Sequence, residues 1–108
     1  MTDHNGKEAI ARNEIKRVFG TPEGEDNVSL FVTHHLDELS SEEWREVCGA
    51  GTPSAQQILS SLALVSKWSS QDSEIIDIFD FSLPKNTTQY VISVAFDGDD
   101  ISKITMES

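Results

Sequence analysis

His34 and His35, with Asp37 close by, are side chains whose types could bind a metal or move a proton. Their spacing argues against a shared ion. Adjacent residues on a helix point about 100° apart, and a helical zinc pair places its ligands at i and i+4, as in H-E-x-x-H. His35 falls on an apolar stripe and reads as a histidine at the edge of the core with a hydrogen-bonded nitrogen, whereas His34 reads as exposed. Cys48, the one cysteine, sits at the end of a short helix. The helix dipole there has the wrong sign to stabilise a thiolate, so Cys48 reads as structural rather than nucleophilic. Asp97-Gly98-Asp99-Asp100 offers carboxylates of the kind that Ca²⁺ and Mg²⁺ take. The EF-hand pattern is unmatched, however, and Asp-Gly is a tight-turn dipeptide. Asp77 and Asp80 lie an odd number of positions apart in a β-prone run, on opposite faces of a strand, and so do not form a paired acid and base. Asp77 shares its nominal face with Phe79 and Phe81, which leaves two readings: a place at the sheet end, or a bulge that shifts the register. P-loop, G-x-G-x-x-G, G-x-S-x-G and C-x-x-C patterns do not occur. The sequence thus implies no catalytic residue, metal or cofactor, and points to a binding or structural unit rather than an enzyme.

Charge says more about partners. The chain has 108 residues, with 19 Asp plus Glu against 8 Lys plus Arg and a formal net charge of −11. The first 20 positions carry 4 − 3 = +1 and the remaining 88 carry 4 − 16 = −12. Such a body repels nucleic-acid phosphates and anionic membranes and attracts a basic partner protein. The plainer reading is that acidity maintains solubility. The length fits a single domain, residues 1–108, without repeats or a separating linker. No run of residues suits a membrane span, the polar N-terminus does not read as a signal peptide, and a single cysteine fits a reducing cytoplasm.

The elements that must position these groups follow from periodicity. Asn5 and Glu8 suit a capping box, ahead of Ala11, Ile15, Val18 and Phe19 at helical spacing. Gly20 and Pro22 end that helix, with Lys16 and Arg17 in a last turn that favours cations. Thr21 to Asp26 reads as a loop. A second helix, Asn27 to Leu39, shows an apolar face of Val28, Phe31, Val32, His35, Leu36 and Leu39. Ser40 and Glu43 form a capping box, and Leu39 and Trp44 the matching hydrophobic staple, for a third helix ending near Cys48. Thr52 as cap and Pro53 as first residue start a fourth, to about Leu59 or Ser61. Residues 62–69 also suit a helix tail through Leu59, Leu62 and Val65. The polar run Ser69-Ser70-Gln71-Asp72-Ser73 reads as a turn between strands, so the expectation is a strand. Ile75 to Leu83, Tyr90 to Phe96 and Ile101 to Met106 complete four strands, joined by Pro84–Thr88 and by the Asp97–Asp100 hairpin.

The expected fold is α+β, with N-terminal helices packed on one face of a C-terminal four-stranded antiparallel meander. Phe79, Phe81, Leu83, Tyr90, Ile92, Val94, Phe96, Ile104 and Met106 should face the helices. The other face should carry Val65, Lys67, Ile76, Ile78, Val91, Ser93, Ala95, Lys103 and Thr105. Val65, Ile76, Ile78 and Val91 there form a candidate apolar interface, unless a bulge in the second strand turns some of them inward or a helix covers them. His35, Trp44 and Tyr90 mark a candidate pocket between helices and sheet.

The residues His34–Leu39, Trp44–Val47, Thr52-Pro53, Phe79–Pro84, Tyr90–Asp97 and Ile104–Ser108, over roughly the last two-thirds of the chain, resemble a family of small acidic bacterial proteins of unknown function. The resemblance implies a bacterial, cytoplasmic, single-domain protein and assigns no site residue. The expected function is non-catalytic: a protein-interaction module for a basic partner or a second copy of itself. The alternatives are an immunity-type inhibitor of a basic toxin, and a small-ligand-binding or enzymatic domain using the pocket.

Overall fold

The computed structural model describes residues 4–71, 74–85 and 87–108. Helices α1 (His4–Val18), α2 (Val28–Glu38), α3 (Ser41–Cys48) and α4 (Ala55–Ser60) precede strands β1 (Ala63–Trp68), β2 (Ile78–Ser82), β3 (Val91–Asp97) and β4 (Asp100–Glu107). The strands form one antiparallel sheet in the order β1-β2-β3-β4. This is the expected helices-first α+β arrangement and meander. Asp72 and Ser73, and Asn86, which the sequence places in two of the connections, lie outside the described residues.

The core joins the helices to one face of the sheet. Ala11, Ile15 and Val18 of α1, Val28, Phe31 and Val32 of α2, Trp44 of α3, and Ile58 and Leu59 of α4 cluster with Phe79, Phe81, Ile92, Val94 and Phe96. Tyr90, Ile104 and Met106 pack at its margin, as their parity required. Burial of these apolar side chains is the main stabilising term. Arg12 ties the layers at their edge. Its guanidinium donates to the Leu62 carbonyl at 2.6 Å, lies 5.0 Å from the Phe81 ring centre and pairs with Glu8.

Local signals account for most helix ends. Ser40 and Glu43 form the expected reciprocal capping box at α3. Two other starts differ from expectation. Asn5 is helical, because α1 is already under way at His4, and a cap residue must keep non-helical dihedrals. The fourth helix begins two residues after Pro53, because Ser54 and Gln57 form a second capping box that satisfies two backbone N–H groups. Pro53 then occupies the position before the cap and is buried, as is Ile58 at the matching staple position. The Thr21–Asp26 loop contains a 3₁₀ turn, Pro22–Gly24, packed on the end of α1. Gly24 approaches so closely that a Cβ there would lie 2.2 Å from the Val18 carbonyl oxygen. In the last hairpin, Asp97 pairs with Asp100 across Gly98 and Asp99. Gly98, at the first central position, takes a φ of 66°, as a type II′ turn demands.

Candidate binding groove

One irregularity in β1 builds the open face of the sheet. Leu64 pairs with Phe81, but Ser66 pairs with Asp80, so Val65 is an extra residue in a β-bulge. A bulge of this kind reverses the in–out parity of everything beyond it. Lys67 therefore opposes the inward Phe79, and Trp68 opposes Ile78 on the outer face. Simple alternation from Leu64 predicts the reverse for both residues.

Trp68 and Ser66 converge on Asp80. The Ser66 hydroxyl donates to Asp80 Oδ2 at 2.8 Å, and the Trp68 indole N–H donates to the same oxygen at 3.0 Å. Trp68 remains 47% exposed. Its ring forms one wall of a groove of about 880 Å³ across the uncovered face, with Ile78, Val91 and Ala95 as apolar lining and Ser93 and Thr105 between them. The groove carries Asp77, Asp80, Asp97 and Glu107 against Lys103. Asp77 lies just before β2, at the sheet end, and no bulge in β2 is needed to place it. It borders the same groove as Asp80, contrary to the expectation of opposite faces. Its carboxylate accepts from the Ser70 hydroxyl at 2.6 Å and the Ser70 backbone N–H at 2.7 Å. These bonds, the hydroxyl's above all, hold it below the usual carboxylate range.

The four expected interface residues are not brought together. Ile78 and Val91 line the groove. Ile76 instead packs against the core, and its carbonyl accepts from the Lys7 ammonium at 3.4 Å. Val65 is 49% exposed at the bulge. Even Ile78 and Val91 are separated along the face by the Asp80–Ser93 pair, so the face is a polar-centred groove rather than an apolar patch. The sequence reading missed the Trp68–Asp80–Ser66 constellation because nothing local announces the bulge. A tryptophan in a strand that already carries Ser66 and Lys67 was the available signal.

The expected pocket is filled by packing. His35 is buried, and both ring nitrogens have partners: Nδ1 with the Phe31 carbonyl at 2.7 Å and Nε2 with the Thr88 hydroxyl at 3.0 Å. A carbonyl only accepts, so Nδ1 carries the proton and Nε2 accepts from Thr88. Burial pushes the His35 pKa down, outweighing the Phe31 carbonyl, which raises it. The His34 and Tyr90 rings meet edge-on at 5.0 Å, and the His35 and Tyr90 rings at 5.9 Å. His34 is half-buried by these contacts rather than exposed. Trp44 is 2% exposed within the core, and its indole N–H has no hydrogen-bond partner among the described residues. Cys48 is half-buried against the core. Among the described residues, no group of three or more His, Cys, Asp or Glu could hold a metal ion. No protein-family model matches the chain, and no curated protein or solved structure matches it significantly.

Proposed function

We propose that this protein is a non-catalytic interaction module that holds a basic segment of a partner protein against the open face of its sheet. The observation that carries this reading is the groove itself: a hydrogen-bonded, half-exposed Trp68 in the strand row of Ile78 and Ala95, bordered among the described residues by four carboxylates and one ammonium. Exposed aromatic anchors in a polar rim are the usual source of binding energy at protein interfaces. The excess of carboxylates selects and steers a cationic partner. The same excess opposes a second copy of the chain on this face, since like charges would meet. A bacterial cytoplasm belongs to the same proposal, supported by the single cysteine and the family resemblance. Among the described residues no helix is long and apolar enough to cross a membrane.

Titration of the nitrogen-15-labelled protein with deca-lysine tests the reading. The Trp68 indole N–H and the amides of β2–β4 should shift together, with an affinity that weakens as salt is raised. Shifts confined to the acidic surface around Glu42, Glu43 and Glu46 of α3, or no shifts at all, would overturn it.

A further inference from the structure

We infer that the groove is built to take arginine in preference to lysine, with the guanidinium laid against the Trp68 indole and bonded to Asp80; this rests on the basic-partner reading above. The argument starts from how firmly the two groups are held before any partner arrives. Ser66 and Trp68 both donate to Asp80 Oδ2, and among the described residues no hydrogen bond to Oδ1 competes with an incoming N–H. The same indole bond fixes the plane of Trp68 beside the carboxylate. A preset ring and a preset carboxylate lose little rotamer freedom on binding.

The pairing of a flat π-face with an adjacent carboxylate discriminates between the two basic side chains. A guanidinium is planar and weakly hydrated, stacks on an indole, and can present N–H groups to a carboxylate at its edge. An ammonium is a compact, strongly hydrated point charge and gains less from the ring. Ile78 and Ala95, both nearly buried, give the aliphatic stem of the incoming residue an apolar floor. Lys103 pairs with Ala95 from β4. It places a positive charge across the face and so confines the cation to the β1–β2 side.

Isothermal titration calorimetry of the full chain with blocked penta-arginine and penta-lysine peptides tests this. Penta-arginine should bind about tenfold more tightly to the unaltered protein. Asp80→Asn and Trp68→Ala should each bring the two peptides to similar affinity, with circular dichroism confirming that the sheet is kept. Asp80→Asn preserves shape and carries the test alone if Trp68→Ala fails to fold. Equal affinities in the unaltered protein, or an arginine preference that survives Asp80→Asn, would overturn the arginine inference and leave the basic-partner reading standing. Binding of neither peptide would overturn that reading itself, and the inference with it.

Discussion

Phe79, Phe81, Ile92 and Val94 lie fully buried beneath the helices, while Asp80 and Ser93, their neighbours along the same strands, look out from the other side. The two tryptophans show the same division. Trp44 is sealed among apolar side chains with its N–H unpartnered among the described residues, whereas Trp68 has a partnered N–H and a half-exposed ring. One face is organised for volume, where every methylene contributes to stability. The other is organised for direction, with hydrogen bonds aiming a ring and a carboxylate at the solvent. Alternation along a strand lets a small domain keep both on one sheet without either compromising the other.

Truncation should separate the two faces most strongly. Phe81→Ala and Trp44→Ala should each destabilise the protein by about 3–5 kcal/mol in urea unfolding, through lost burial and the cavity left behind. A cost below about 1 kcal/mol at both sites would mean that the helix-covered face is not the core.

Acid should weaken the closed side before the open one. His35 is held neutral below its ordinary pKa of 6.5, chiefly by burial, with the His34 charge acting in the same direction and the Phe31 carbonyl and Glu38 opposing. The unfolded chain therefore takes up a proton at His35 that the folded chain resists. Stability is full above the unfolded pKa and falls as the pH drops below 6.5 towards the lower folded value. The urea midpoint should decline from pH 7.5 to 5, and His35→Gln should flatten that decline. Asp77 acts with the same sign in a separate range: its folded pKa lies below 3.8, so its contribution is lost only as the pH falls through that more acidic region.

On the open side the expected stability effect is the smallest. Trp68→Ala should change the unfolding free energy by less than about 1 kcal/mol, because the ring is half in water and its hydrogen bond is exposed. A larger cost would make Trp68 a structural residue rather than a binding one.

How far the sequence could be read follows the same two faces. The inner face obeys period-two alternation along β2 and β3, because exclusion from water forces a consistent parity. In β4 it holds for Ile104 and Met106, while a bulge at Ser102 opposite Ala95 and Phe96 also brings Ile101 against the core. The capping box at Ser40 and Glu43 was equally legible, since both partners lie within one turn. The fourth helix was displaced because two local signals competed, Pro53 as a first residue and Ser54 with Gln57 as a capping box, and the pair that satisfies backbone N–H groups prevailed. The groove was only half legible. Ile78 and Val91 were placed on the correct face, but the extra residue at Val65 is dictated by pairing between strands distant in sequence. No local rule brings Trp68 and Ser66 to Asp80.

Acrylamide quenching of two single-tryptophan proteins, Trp68→Phe and Trp44→Phe, with and without a penta-arginine peptide, distinguishes a sealed face from a binding one. Trp44 alone should be shielded and indifferent to the peptide. Trp68 alone should be readily quenched and should become protected as the peptide binds. Trp68 shielded in the free protein, or still fully quenched under saturating peptide, would contradict the account of an open face built to hold a cationic partner.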